Sequence, residues 1–134
     1  MTGHMKILDA YALMAFLEDE PGAQHVEDLL AQSIQEDLRL AATTINLAEV
    51  YYNLAKRYSF DAADIAIQKL AELPIEIVSV DWELAQRAAK FKAEIPISFA
   101  DCIAAALAQI RECAVVTGDK EFQRLERVVQ VEWL

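Results

Sequence analysis

Residues 97–109 read ISFADCIAAALAQ, an almost wholly apolar segment of helical character with a single acid, Asp101, near its start. A helix that is apolar on all sides is typical of a buried position, so this carboxylate needs an explanation. One explanation is local, because Ser98 and Asp101 have the spacing of a capping box, which stabilises the first turn of a helix. Another depends on where the other isolated acids of the chain fall.

Outward from this segment, short strand-like runs alternate with helical patterns along the chain. Strands are predicted at residues 6–9 (KILD), 38–43 (LRLAAT), 75–80 (IEIVSV), 114–117 (AVVT) and 128–131. Helices are predicted at residues 12–16, 24–35, 45–58, 62–73, 82–93, 97–109 and 121–125, with breaks at Pro21-Gly22, Pro74 and Pro96. This alternation predicts a parallel sheet with helices on both faces, and a binding crevice beyond the carboxyl ends of the strands.

The composition limits the possible classes of protein. With 134 residues, 55% of them hydrophobic, the chain is expected to form one globular domain over residues 5–134, and residues 1–4 (MTGH) resemble a vector remnant. A net charge of −10 argues against broad nonspecific binding to nucleic acid, while leaving room for a local basic rim. No apolar run is long enough for a membrane span, and no secretory signal is visible, so we expect a cytoplasmic protein. Its two cysteines are expected to be reduced, and the Cys and His residues are too few for a zinc site.

Four isolated acids fall near predicted strand exits or helix starts. Asp9 follows the first strand, Asp119 follows the fourth through Thr117-Gly118, Glu49 lies in the first turn after the second strand, and Asp101 can join them if its helix starts at the same edge. Each acid alone could be a helix cap, as we expect for Asp81. Four carboxylates in one crevice would repel by several kcal/mol, at roughly 3 kcal/mol for each close pair, unless a cation lies between them. Mg²⁺ or Mn²⁺, which prefer carboxylate and water oxygens, would remove that cost.

A carboxylate cluster of this kind is suited to phosphodiester hydrolysis with one or two bound metal ions. The chain has no credible Ser-His or Cys-His pair for covalent catalysis and no glycine-rich phosphate loop. Metal-assisted hydrolysis is therefore the chemistry that the residues favour.

Four stretches together resemble the PIN-domain ribonucleases, and most closely the VapC-type toxins of toxin–antitoxin modules. They are ILDAYALMAFLEDEPG, INLAEVYYNL, ISFADCIAAALAQ and VVTGDKEF, and the likeness extends over nearly the whole chain from Lys6. The resemblance implies a PIN-like three-layer α/β/α sandwich with a central, mainly parallel sheet. It also implies a Mg²⁺- or Mn²⁺-dependent endoribonuclease that often dimerises and is inhibited by a cognate antitoxin.

The resemblance assigns the acidic cluster to Asp9, Glu49, Asp101 and Asp119, with Thr117 as a small polar residue that helps to position water or metal. We hypothesise that Asp9 and Asp101 bind the principal metal ion, that Glu49 binds it or orients its water, and that Asp119 supports that shell or a second ion. The chain departs from the family pattern at Ala10-Tyr11, where many relatives have Ser or Thr, and Tyr11 is the available hydroxyl.

Partners are predicted from charge. Lys120 is the best candidate for contact with RNA because it adjoins Asp119. The other candidates for a basic rim are Lys56, Arg57, Lys90, Lys92 and Arg124, and ordinary solvated helix faces are the alternative for each of them. The resemblance implies an antitoxin whose C-terminal segment enters the active-site groove, and the net charge of −10 favours a basic segment there, with Arg or Lys in place of the cation. The resemblance also implies a homodimer. Core positions are expected for most of the apolar helix residues Leu13, Phe16, Leu17, Tyr51 and Tyr52, with a dimer face or an antitoxin groove as the alternative for some of them.

Three other functions are compatible with parts of the pattern. An RNA-processing PIN nuclease outside a toxin module would share the acids, and a catalytically silent PIN-like binding module would keep only the fold. A receiver-like signalling module also gathers acids at strand ends, but it is expected to carry paired acids after the first strand and a Lys after the last, which this chain lacks.

Overall fold

The computed structural model describes residues 4–35 and 37–134; of the predicted vector remnant, residues 1–3 lie outside these ranges and His4 begins the first strand. The strands are β1 (His4–Leu8), β2 (Leu38–Thr43), β3 (Ile75–Val78), β4 (Ala114–Thr117) and β5 (Gln130–Trp133). The α-helices are α1 (Ala10–Leu17), α2 (Ala23–Gln35), α3 (Thr44–Arg57), α4 (Phe60–Ala71), α5 (Trp82–Glu94) and α6 (Phe99–Ile110). A 3₁₀-helix covers Lys120–Leu125.

The strands form one sheet in the order β3-β2-β1-β4-β5, and every neighbouring pair is parallel. The predicted α/β class with a parallel sheet and helices on both faces is therefore confirmed. From β1 the chain adds strands first on one side, through β2 and β3, and then on the other, through β4 and β5. The order reverses between β1 and β4, and ligand crevices in open α/β sheets form at such a point.

Alternating side chains of the central strands divide the core between the two faces of the sheet. Ile7 packs with α5, α6 and the 3₁₀-helix, whereas its neighbour Leu8 packs with helices α1 to α4. Both side chains are fully buried. This period-two alternation along β1 is why the sheet needs a helical layer on each side.

Helix α6 is buried over residues 100–108 without interruption. It lies between α5 and the sheet and also contacts α3, so the apolar residues on all its sides have neighbours. The buried position predicted from ISFADCIAAALAQ is confirmed. No helix within the described residues combines the length and apolar character needed to cross a membrane.

Several element boundaries differ from the predicted ones because local hydrogen bonds decide them. β5 begins at Gln130 rather than at residue 128, since the amides of Val128 and Val129 both donate to the carbonyl of Leu125 and so extend the preceding turn. α3 begins one residue earlier than predicted, with Thr43 as its N-cap. The break at Pro21-Gly22 is confirmed, and Gly22 there has a φ of 101°, which favours glycine.

Candidate active site

Asp9 lies immediately beyond the carboxyl end of β1, and its side chain is only 1% exposed. Its Oδ1 accepts a hydrogen bond from the amide of Ala12 at 2.9 Å, so Asp9 caps α1. Its Oδ2 accepts a hydrogen bond from the hydroxyl of Thr117 at 2.5 Å. The capping interpretation is therefore correct, but it accounts for only one of the two carboxylate oxygens.

Thr117 connects the ends of the two strands that meet at the reversal of strand order. While its hydroxyl donates to Asp9, the same oxygen accepts from the amide of Asp119 at 2.9 Å. Asp119 in turn caps the 3₁₀-helix by accepting from the amide of Glu121 at 3.0 Å. Thr117, fully buried, thus fixes the positions of two acids that lie 110 residues apart in the chain, as the numbering shows.

Asp101 and Glu49 approach the same region from helices. Asp101 lies in the first turn of α6, where its amide donates to the Oγ of the N-cap Ser98 at 3.2 Å, and it is 7% exposed. Glu49 lies on α3, and its Oε1 is 3.5 Å from the side-chain nitrogen of Asn46. α6 therefore begins at the carboxyl edge of the sheet, which is the condition on which the sequence argument for Asp101 depended.

Asn46 is a buried residue that connects helix α3 with helix α6. Its side-chain oxygen accepts from the hydroxyl of Thr43 at 2.8 Å, and its side-chain nitrogen faces both Glu49 and the carbonyl oxygen of Ala100, each at 3.5 Å. It is fully buried. The side-chain amide of Asn46 therefore connects the start of α3 with the start of α6. It contacts Glu49 directly, and it contacts the residue that precedes Asp101.

Burial and mutual repulsion make two of these carboxyl groups unusually basic. Burial, opposed by the bonds from Thr117 and Ala12, raises the pKa of Asp9 to about 7, and the charges of Asp101 and Asp119 add to the shift. Burial, followed by the negative charge of Asp119, raises the pKa of Asp101 to about 7. Burial also raises the pKa of Glu49, against hydrogen bonds from Asn46 and Tyr52. The four carboxyl groups therefore form one interacting electrostatic unit.

All four acids line a single pocket of about 820 Å³. Across residues 4–35 and 37–134, none of the four forms an ion pair with Lys, Arg or His. In the same ranges, no three His, Cys, Asp or Glu side chains are arranged so that they could hold a metal ion as they stand. The pocket has the oxygen donors that a hard divalent cation prefers, but the carboxylates would have to move closer together around it.

The cationic side chains of the pocket are Arg57 and Lys92, both named among the candidates for a basic rim. Arg57 is 2.7 Å from Glu18 Oε1, and Lys92 Nζ donates to the carbonyl of Ile97 at 2.5 Å. Lys120 and Arg124 are exposed and are not among the described residues that line the pocket, although Arg124 donates to the carbonyl of Pro96 at 3.1 Å. Their contact with RNA stays a prediction.

Comparisons with known proteins agree with the overall fold. A family model described as "PIN domain" matches residues 6–128. Among solved structures, the DNA-bound VapBC of Salmonella typhimurium is 19% identical with a TM-score of 0.79, covering 97% of this chain and 98% of that one. The VapBC2 structure of Rickettsia felis, bound to a promoter DNA fragment, is 16% identical with a TM-score of 0.76, covering 96% and 98%.

A third similar structure is VapC20 of Mycobacterium tuberculosis, described as a toxin that cleaves the sarcin-ricin loop. It is 15% identical with a TM-score of 0.72, covering 88% of this chain and 92% of that one. No curated protein sequence matches this chain. At these identities the structural likeness supports a shared fold.

Proposed function

The chain belongs to the PIN domain family, and on that premise we propose that it is a divalent-metal-dependent endoribonuclease, the toxin of a VapBC-type toxin–antitoxin module. The observation that carries the proposal is the convergence of Asp9, Glu49, Asp101 and Asp119 on one pocket where the strand order reverses. Helix capping alone does not explain this convergence, because Asn, Ser or Thr would cap equally well without the electrostatic cost.

The donor set of the pocket fits Mg²⁺ or Mn²⁺, which favour carboxylate oxygens. Asp9 and Asp101 would hold the principal ion, Glu49 would hold it or orient water beside it, and Asp119 would support that shell or a second ion. Such an ion supplies Lewis-acid chemistry, activating water for attack on a phosphodiester and stabilising the negative charge that develops.

The chain's own residues would hold the acids in position for this reaction. Thr117 bonds one oxygen of Asp9 and the backbone amide of Asp119, and so it holds these two acids beside each other at the pocket. Asn46 holds Glu49 and the first turn of α6 in the same way. Arg57 and Lys92, at the same pocket, would attract the phosphates on either side of the bond that is cut.

Incubation of the purified chain with total RNA tests the activity. We expect cleavage at defined positions in the presence of Mn²⁺, loss of cleavage with excess chelator, and recovery when Mn²⁺ is restored, with cut sites mapped by end sequencing. Cleavage that continues undiminished in chelator would contradict the metal-dependent mechanism, and intact RNA in every condition would contradict the nuclease proposal.

Lys120→Ala tests the contribution of the exposed basic residues to RNA binding. We expect affinity for single-stranded RNA to fall several-fold, and the slope of log affinity against log salt to decrease by about 0.7, because one phosphate contact is lost. Arg124→Ala is expected to behave in the same way. The control is Lys69→Ala on α4, outside the residues that line the pocket, which should leave the slope unchanged. An unchanged slope for both Lys120→Ala and Arg124→Ala would remove these residues from the RNA contact.

The proposal includes two protein partners, a cognate antitoxin and a second copy of the chain. The acidic pocket and the net charge of −10 support an antitoxin whose basic C-terminal segment enters the pocket. The similar VapBC structures support an antitoxin partner in general. Titration of a candidate antitoxin tail against the chain, with and without Mn²⁺, should show competition, and the mass in solution by light scattering should be that of a dimer.

A further inference from the structure

The aromatic ring of Tyr11 packs directly against the backbone at Gly118. A Cβ atom added at Gly118 would lie 2.3 Å from Tyr11 Cε1, 2.7 Å from Cζ and 2.9 Å from Cδ1, which are impossible distances. Only glycine therefore allows the ring to occupy this position. The ring covers the peptide segment between Thr117 and Asp119, two residues that hold the acidic cluster together.

Tyr11 is also partly open to solvent. Although one flank of the ring is covered by Gly118, the residue remains 45% exposed and lines the acidic pocket. It is the one aromatic residue among the described residues that line this pocket. A solvated aromatic residue on a surface is common, but this ring packs against backbone and adjoins the acids, so its orientations are restricted before any ligand arrives.

The position of the ring relative to the acids indicates what it would contact. Asp9 precedes Tyr11 by two residues, Asp119 follows Gly118 directly, and all three of Asp9, Tyr11 and Asp119 line the same pocket, so the ring lies near both strand-end acids. If the phosphate to be cut lies at the acids, a base attached to an adjoining sugar comes within reach of the ring. Unpaired RNA bases are commonly held by stacking on aromatic side chains.

We propose that Tyr11 is a stacking platform for a nucleobase next to the scissile phosphate, and therefore a residue that selects single-stranded RNA and the cut position. This inference rests on the proposed nuclease function. It assigns the binding role to the ring and not to the hydroxyl, because the ring is the part that the packing against Gly118 holds in place.

Two substitutions separate the ring from the hydroxyl. Binding of a labelled single-stranded RNA oligonucleotide of about a dozen nucleotides is measured by fluorescence anisotropy in chelator, so that no cleavage occurs. We expect Tyr11→Leu to weaken binding about tenfold, and Tyr11→Phe to stay within about twofold of the native chain. Trp82→Leu removes an aromatic residue that is 72% exposed at the start of α5, outside the residues that line the pocket, and should change nothing.

A scan of single abasic sites along the oligonucleotide tests contact with a base. At one position, removal of the base should cost the native chain about as much affinity as Tyr11→Leu does, and should cost the Tyr11→Leu variant nothing further. Equal binding by Tyr11→Leu and the native chain would overturn the proposal. A loss of affinity for Tyr11→Phe as large as that for Tyr11→Leu would also overturn it. So would a result in which the losses from Tyr11→Leu and from removal of the base add at every abasic position.

The binding assay distinguishes failure of this inference from failure of the proposed function. If the native chain cleaves RNA but Tyr11→Leu binds and cuts it identically, the platform is wrong and the nuclease stands. If the native chain binds RNA through Tyr11 but never cleaves it, the stacking of a base on Tyr11 stands, its place beside a scissile phosphate falls, and the nuclease proposal fails. A native chain that neither binds nor cleaves RNA overturns both.

Discussion

Asp101→Asn is expected to lower the rate of RNA cleavage in Mn²⁺ by about a thousandfold, because one carboxylate ligand is worth several kcal/mol of transition-state stabilisation. The fold should tolerate the change, since Asn has nearly the same shape and the helix cap uses the backbone amide of Asp101 and the Oγ of Ser98. Cleavage kinetics on one defined RNA, together with circular dichroism to check the fold, measure the effect.

Asp81→Asn is the matched control for that substitution. Asp81 also begins a helix, accepting from the amide of Leu84 at 2.9 Å, but it is exposed and lies outside the residues that line the acidic pocket. Asn caps helices as well as Asp does, so this variant should keep full activity. If Asp101→Asn and Asp81→Asn cleave RNA at the same rate, Asp101 has no role in the chemistry beyond capping.

Without divalent ions, the free energy of unfolding should fall as the pH rises from 5 to 7. The carboxyl groups of Asp9 and Asp101 have pKa values of about 7 in the folded chain, against the ordinary value of 3.8. Between these limits the folded state binds more protons than the unfolded state, so raising the pH favours unfolding. The loss should be about 2 kcal/mol if the coupled pair holds one proton, and up to about twice that for two.

Urea denaturation at pH 5 and pH 7 in chelator measures this dependence. Asp101→Asn should reduce the dependence of the unfolding free energy on pH. At pH 7 this variant should be more stable than the native chain, although it is less active. Saturating Mn²⁺ should restore stability to the native chain at pH 7, because an ion that binds only the folded state stabilises it by mass action. Native stability that rises between pH 5 and pH 7 in chelator would mean that the carboxyl groups are not held in the environment described.

The fold class was predictable because it depends on patterns that are local in the sequence. Short apolar runs such as AVVT, separated by helical segments, indicate a parallel sheet whatever the tertiary details. Apolar residues on every side of residues 97–109 indicated a helix with neighbours all around, and α6 has them. The ends of helices and strands were less predictable, because a single hydrogen bond can shift them. The amide of Val128, for example, donates to the carbonyl of Leu125, and β5 therefore begins later than predicted.

The candidate site was only partly predictable. Strand exits indicated that Asp9 and Asp119 would meet, but the place of Asp101 depended on the direction of α6, which no local pattern reveals. Adjacency to Asp119 in the sequence favoured Lys120 as a contact for RNA. Arg57 and Lys92 line the pocket instead, because the last turns of α3 and α5 lie beside it. The contact of Tyr11 with Gly118 joins residues over 100 positions apart, and nothing in either neighbourhood indicates it.

The pairing of β1 with β4 has a consequence for when the chain can act. Leu8 aligns with Val116, and the bond from Thr117 to Asp9 lies just beyond that register. A growing chain on the ribosome therefore carries its first acid long before the partner strand exists, and contacts of such large sequence separation form late. The pocket of four acids, and any activity that depends on it, is therefore complete only after nearly all of the chain has been synthesised.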